Sequence, residues 1–323
     1  MHIVDAYLDA CVADLDRARD EGLPEATSVF FGGGTPSLVP ADALMRVLDH
    51  VWRVDGAEVT VECNPDTVTP ELLRTYRTSG VNRLSFGVQS MVPHVLHALG
   101  RTHDQANVVA AARDARDAGF ESFNLDLIYG AVGESLDDWR GTLDAALALD
   151  PPHVSAYGLT VEPGTPLADD PARHPDDDDQ ADKYVVADRA LTARGLDCYE
   201  ISNWAKPGFE CRHNLLYWSQ GEYLGVGCAA HSHRAGTRWW NVRTPERYID
   251  AIARAASPVA ASEHLDEGER RIEGLQLALR TRGGVPRGAL PDDLGDLVER
   301  HGERVVLTVR GRLLANEVAL RIS

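Results

Sequence analysis

Three glycines, Gly32, Gly33 and Gly34, stand directly after the apolar run Ser28-Val-Phe-Phe31 and before Thr35 and Pro36. With no Cβ in the way, such a loop lets backbone approach a ligand closely; its plainer use is a tight turn from strand to helix. Gly32-x-Gly34 with a following acid also shares part of the dinucleotide-binding spacing, but Ser37 occupies the third glycine position and Glu62 lies about 28 residues on. The Glu62 carboxylate is acceptor-only when ionised and suits the paired hydroxyls of a ribose. Arg101 and Asp126 carry opposite charges that could hold an amino-acid head group, or could each serve a structural ion pair. Taken together on successive strand ends, these groups suit a zwitterionic nucleoside–amino acid. Further along, Cys211-x-His213 and Cys228-x-x-His231-x-His233 offer thiolate and imidazole, the ligands of zinc, so a zinc-binding structural protein is one reading. The same stretch holds His213-Asn-Leu-Leu-Tyr-Trp218, which composition alone reads as a core aromatic cluster around a hydrogen-bonded histidine.

These groups are set on a repeating pattern of elements. Apolar residues at Val4, Leu8, Cys11 or Val12, and Leu15 have helical period, and Gly22-Leu-Pro24 stops that helix. Strand then alternates with helix: Ser28–Phe31 and 41–52, Glu58–Glu62 and 70–79, Arg83–Phe86 and helices to about 118, Ser122–Asp126 and 135–149, then His153–Tyr157. Strands separated by helices imply a parallel sheet, either open or a (β/α) barrel. Each strand ends in a polar residue or glycine: Gly33 and Gly34, Glu62, Gln89, Asp126, and Tyr157 or Thr160. A barrel brings all such ends to one mouth, so a barrel or partial barrel is expected. Beyond 160 the expectations are a solvated acidic loop at Pro175–Asp179, a helix over 180–194, one extended strand over Cys198–Trp204, and helices near 264–280 and 290–301. The last part reads as a small helical or winged-helix module, with units divided as 1–250 and 251–323.

Composition narrows the partners. The chain has 323 residues, 44% hydrophobic and 25% charged, the balance of an ordinary globular protein. A formal charge of −18 argues against a nucleic-acid partner, which needs clustered Lys and Arg. No window reaches the roughly 20 apolar residues of a membrane helix, so a cytoplasmic protein with at most peripheral membrane association is expected. Cys11, Cys63, Cys198, Cys211 and Cys228 include no C-x-x-C, and neither a disulfide framework nor a cysteine metal site can be read from their spacing.

Phe31-Gly-Gly-Gly-Thr-Pro-Ser37, Glu62-Cys-Asn-Pro65, Asn82-Arg-Leu-Ser-Phe-Gly-Val-Gln-Ser90, Leu99-Gly-Arg101, Asn124-Leu-Asp-Leu-Ile-Tyr-Gly130 and Glu200-Ile-Ser-Asn203 together resemble the HemW branch of the radical S-adenosylmethionine superfamily. This branch is related to oxygen-independent coproporphyrinogen III oxidase. The resemblance implies an α/β fold, a partial (β/α)6 barrel that lacks its first strand in this chain, with S-adenosylmethionine at its mouth. Gly33, Gly34 and Thr35 would touch its methionine part, Glu62 the ribose, and Gln89, Arg101 and Asp126 would complete the site. His213, Asn214, Tyr217 and Trp218 match the H-N-x-x-Y-W motif of the heme-chaperone branch. Neutral imidazole ligates heme iron, and aromatic rings offer flat faces to a porphyrin. The implied partners are heme and apo-hemoproteins, with a homodimer left open. The main alternative is a coproporphyrinogen III dehydrogenase. The family's C-x-x-x-C-x-x-C motif, which holds a [4Fe–4S] cluster after the first strand, has no counterpart here, so the chain as written is not expected to bind the cluster. A coding start assigned too late is the favoured explanation over natural loss, and Ser28–Phe31 would then present an unpaired edge. Whether the chain is an enzyme, and through which residues, is left unassigned by the sequence.

Overall fold

The computed structural model describes residues 3–165 and 167–322. The chain opens with α1 (Ile3–Asp20), and strands then alternate with helices: β1 (Ala26–Phe31), α2 (Ala41–Asp49), β2 (Arg53–Cys63), α3 (Pro70–Thr78), β3 (Arg83–Gln89), α4 (Pro93–Ala98), α5 (Gln105–Asp117), β4 (Ser122–Tyr129), α6 (Leu136–Leu147), β5 (His153–Gly158) and α7 (Asp177–Thr192). Local chemistry sets the helix starts. The Thr69 hydroxyl accepts from Leu72 N ahead of Pro70, and Asp104 with Asn107 and Ser135 with Asp138 form reciprocal capping boxes. The acidic run is helix rather than loop: Asp176 caps α7 by accepting from Asp179 N, and Asp177–Asp179 form the first turn, where carboxylates suit the dipole.

One seven-stranded sheet, in the order β1-β2-β3-β4-β5-β7-β6, curls into a half-barrel. Strands β1 to β5 are parallel, as the intervening helices require. Their alternate residues divide cleanly. Val59, Val61, Leu84, Phe86, Leu125, Leu127 and Val154 are buried in one core with Leu48, Leu73, Val108, Leu143 and Leu191 of the helices. On the other face of these strands stand Glu58, Thr60, Glu62, Arg83, Ser85, Asn124, Asp126, His153 and Ser155. These are the five parallel strands the sequence pattern implies, and beyond β5 the pairing turns antiparallel. Cys198–Trp204 is not one strand but an antiparallel pair, β6 (Asp197–Glu200) and β7 (Asn203–Ala205), with β7 running antiparallel to β5. Glu200 makes the turn by accepting from Ser202 N at 3.1 Å and from Asn203 Nδ2. At the other end β1 pairs only with β2 among the described residues, so the sheet opens on its first strand.

The rest of the chain comprises α8 (Arg212–Trp218), β8 (His231–Arg234), β9 (Thr237–Asn241), α9 (Pro245–Ala253), β10 (Val259–His264), α10 (Glu267–Leu279), β11 (Val285–Pro286), β12 (Val298–His301), β13 (Arg304–Leu307), α11 (Val309–Leu313) and α12 (Ala315–Ala319). Residue 250 lies within α9, and β10 completes a sheet with β9 and β8. Residues 290–301 are not the expected helix. Pro291 and Gly295 (φ +54°) interrupt it, leaving 3-10 turns before β12, which pairs with β13 across Gly302 (φ +59°). Three short antiparallel strands and three helices bury Leu279, Val285, Leu294, Val305 and Val318 in a separate small core. α1 packs on α9, where the buried Tyr248 donates to Asp14 Oδ2 at 2.6 Å.

Candidate functional site

The C-terminal ends of the parallel strands meet at the mouth of the half-barrel. There the glycine loop is held against β2: Gly33 N donates to Glu62 Oε2 at 3.1 Å, while Ser37 Oγ takes Asn64 N at 3.0 Å and contacts Thr67 Oγ1 at 2.6 Å. Gly33 and Gly34 adopt φ of +78° and +65°, and nothing lies within 4 Å of where a Cβ would stand on either. Their backbone is therefore open to a ligand. Gln89 also has positive φ, +64°, and its amide lies back over Gly87, the register partner of Asp126. Asp126 accepts from Ser85 Oγ at 2.7 Å and Asn124 Nδ2 at 2.8 Å. Burial raises the pKa of both Glu62 and Asp126; the Gly33 amide opposes the rise at Glu62, and the Ser85 hydroxyl opposes it at Asp126. Thr35 begins the 3-10 turn beside this loop. Arg101 is exposed on the turn after α4, and no ion pair joins it to Asp126 among the described residues.

Behind the mouth lies a polar network that the sequence reading missed. His153, fully buried, bonds through Nδ1 to Asn124 Oδ1 at 2.6 Å and through Nε2 to Tyr199 Oη at 2.8 Å. Ser155 Oγ donates to Asn203 Oδ1 at 2.6 Å, and Asn203 in turn donates to Glu200. Burial drives the His153 pKa well below its ordinary value, so this imidazole is neutral. A signal for the network was present: Glu58-x-Thr60-x-Glu62, Arg83-x-Ser85-x-Gly87, Asn124-x-Asp126 and His153-x-Ser155-x-Tyr157 alternate with apolar residues at the two-residue period of a strand.

The second set of expected residues sits on α8, across β1. The α8 N-cap, Cys211, makes no side-chain cap. Glu58, from β2, does this instead: its carboxylate accepts from Arg212 N at 3.1 Å and His213 N at 3.0 Å while remaining buried. His213 is thereby laid over the edge strand. Its Nδ1 contacts Ser28 Oγ at 2.9 Å, its Nε2 meets the Tyr217 hydroxyl at 2.8 Å, and its ring stacks on Phe30 at 5.2 Å. Tyr217 makes edge contacts with His213 and Tyr223. Burial lowers the His213 pKa, against the opposing field of Glu58. The imidazole is therefore neutral at pH 7, with Nε2 masked only by a hydroxyl on a half-exposed ring.

His213, Asn214 and Tyr217 line a cleft of about 1230 Å³ bounded by α1, β1, α8 and the β8–β9 hairpin. Trp218 is not among its walls; its indole turns to the other side of α8 and helps hold the buried Glu200 carboxylate. The four motif residues thus divide into three on the cleft and one locking the helix to the β6–β7 turn.

No three thiols assemble, although Cys11 and Cys228 both lie beside Tyr7. Cys211 Sγ lies against Glu58, Cys228 Sγ against the Tyr7 hydroxyl, and Cys63 is in the helix-facing core. His231 stacks on Trp240 and His233 Nδ1 bonds Gly221 O at 2.9 Å. Among the described residues no group of three or more His, Cys, Asp or Glu side chains could hold a metal ion. The donor set fits neither zinc nor a [4Fe–4S] cluster. The mouth, with its open glycine backbone and inward carboxylates, does fit a zwitterionic nucleoside, and the α8 imidazole fits a ferric porphyrin.

Comparison with known proteins agrees with this geometry. The Radical SAM superfamily model matches residues 5–146. "Heme chaperone HemW" of Mycobacterium tuberculosis is 43% identical over 97% of this chain and 85% of its own length, and the Bacillus subtilis protein of the same name is 37% identical over 98% and 90%. Among solved structures, coproporphyrinogen III oxidase (HemN) from Escherichia coli, described as a radical SAM enzyme, matches with a TM-score of 0.86 at 21% identity, covering 99% of this chain and 83% of that one. The half-barrel and the extent of the match to these relatives place the chain in the HemW family, a branch of the radical SAM superfamily.

Proposed function

We propose that this protein binds heme on the α8 face and passes it to apo-hemoproteins. The observation that carries the reading is the His213 imidazole, held neutral at a fixed place over the edge strand, with Nε2 covered by the hydroxyl of the half-exposed Tyr217. With the ring's one proton on Nδ1, facing Ser28 Oγ, rotation of Tyr217 away from Nε2 would free that nitrogen as a ligand for iron. Ser28 holds Nδ1 and Phe30 holds the ring plane, so the imidazole keeps its direction when Tyr217 leaves. Tyr217 and Tyr223, meeting edge to face, then offer aromatic surface to the macrocycle. Ligation by a single imidazole suits delivery, because the acceptor can displace it. The relatives' name supports the same reading.

In this reading Gly33, Gly34, Thr35, Glu62, Gln89, Arg101 and Asp126 hold S-adenosylmethionine at the mouth. When bound, that molecule supplies an electrophilic sulfonium. Glu62 takes the ribose hydroxyls, and the open amides of the glycine loop meet the methionine carboxylate. The cysteines described do not fit a [4Fe–4S] cluster. No helix among the described residues is long and apolar enough to cross a membrane. The proposed setting is the cytoplasm, with the protein acting as monomer or homodimer and touching membranes at most peripherally.

The test is transfer: heme-loaded protein is mixed with an apo-hemoprotein and the acceptor's spectrum is followed. Saturating transfer by the wild type, and none beyond the free-heme rate by His213→Ala, is expected. Equal transfer by both would reject the reading.

A further inference from the structure

At the end of the half-barrel opposite the mouth, the first residues of β3 and β4 floor a second cavity of about 420 Å³. Its walls include Glu58, Arg77, Arg83, Phe209, Glu210 and Arg212. Arg83 is 3% exposed, and its Nε is buried with no hydrogen-bond partner. Among the described residues no carboxylate forms an ion pair with it. Such an orphaned donor on a guanidinium is costly, because that N–H has left water and gained no acceptor.

No neighbouring acid accepts a hydrogen bond from it: Asp126 feels its charge but takes its hydrogen bonds from Ser85 and Asn124. Glu58 is engaged by the Arg212 and His213 amides. Glu210 is engaged by Arg282 at 2.7 Å and Gly208 N at 2.9 Å, and Glu121 on the rim is exposed. The other cations keep donors to spare. Arg77 gives Nε to Gly119 O at 3.1 Å, and Arg212 gives one N–H to Gly56 O at 2.8 Å, out of five donors on each guanidinium. The cavity therefore has planar donors in excess, an apolar wall at Phe209, and three carboxylates nearby that disfavour a dianion.

We infer that this cavity is a binding site for a small singly charged organic carboxylate, gripped by the Arg83 guanidinium with Arg77 and Arg212 at its sides. A fork of two parallel N–H groups matches a carboxylate bidentately, which a lysine cannot reproduce. The inference is independent of heme and of S-adenosylmethionine, since none of the residues placed at the mouth or on the α8 cleft is needed for it.

Thermal unfolding of the full chain tests it, with sodium acetate exchanged for sodium chloride at constant ionic strength and sodium phosphate as a second arm. In the wild type, acetate should raise the Tm saturably, by about 2 °C at ten times its dissociation constant. Arg83→Met should be at least as stable as wild type in chloride and should not respond to acetate. Arg83→Lys, which keeps the charge and guards against a misfolded Met variant, should bind acetate about tenfold more weakly. An equal response in wild type and Arg83→Met, or no saturable response in the wild type, would overturn the site. A larger response to phosphate than to acetate would overturn its assignment to a carboxylate.

Discussion

Replacing Glu58 should loosen the one helix on which the proposed heme ligand is carried. α8 has only seven residues, too short to be stable alone, and its cap residue Cys211 contributes no side-chain bond. The Glu58 carboxylate supplies both missing acceptors, to Arg212 N at 3.1 Å and His213 N at 3.0 Å, from a position 6% exposed. A hydrogen bond to a buried charged group contributes about 1.5–3 kcal/mol. With two such bonds, and partial replacement by water, Glu58→Ala should cost about 3 kcal/mol, most of it local to α8. Glu58→Gln keeps one acceptor oxygen without the charge and should cost about 1–2 kcal/mol. Amide hydrogen exchange reads this directly. Protection of the α8 amides should fall about a hundredfold in Glu58→Ala and about tenfold in Glu58→Gln, while β3 and β4 amides change little. Heme affinity should fall in the same order. Unchanged α8 exchange in Glu58→Ala would refute the capping argument. Loosened α8 with undiminished heme affinity would refute the claim that α8 presents the ligand.

Other outcomes follow from the same geometry. Lys183 is fully buried, with Nζ 2.6 Å from Asp179 and 3.2 Å from Glu134, so Lys183→Met strands the buried Glu134 and should cost about 3–5 kcal/mol in urea unfolding. Gly227 has φ +104°, and a Cβ there would fall on the Tyr7 hydroxyl; Gly227→Ala should lower stability by about 1–3 kcal/mol, measured the same way. His153 and His213 have pKa values lowered by burial, so the unfolded state binds their protons first. Their contribution is complete above about pH 6.5 and is lost as pH falls below it, at about 1.4 kcal/mol per pH unit for each proton. His153→Asn should flatten that acid slope in urea titrations at pH 5 to 6.5, and an unchanged slope would contradict the neutral assignment. Glu62→Ala should weaken S-adenosylmethionine binding about tenfold in calorimetry, with little change in Tm.

Much of the half-barrel could be read from residue spacing because its determinants are local. Helices at 70–79 and 135–149 announced themselves by caps and period, and the strand ends carried Gly33, Glu62, Gln89 and Asp126 to one mouth as the parallel order demands. What local pattern does not contain is pairing across distance. Glu58 meets the α8 amides 154 and 155 residues later, and His153 meets Tyr199. Both were hidden in strands whose polar residues looked like exposed alternation, although the sheet curls them inward. The Cys198–Trp204 run is extended throughout, yet Glu200 bends it by taking Ser202 N, a side-chain contact that strand propensity does not register. Similarly, Tyr217 and Trp218 are neighbours in sequence but stand on different faces of a helix, so only Tyr217 reaches the cleft.

The central claim, that His213 presents a neutral imidazole to heme iron, is tested most directly by titrating ferric heme into the wild type and His213→Ala and recording the Soret band. The account predicts a stoichiometric shift to the spectrum of a histidine-ligated heme in the wild type, absent in His213→Ala and restored when imidazole is added. Identical Soret spectra for the two proteins would contradict it.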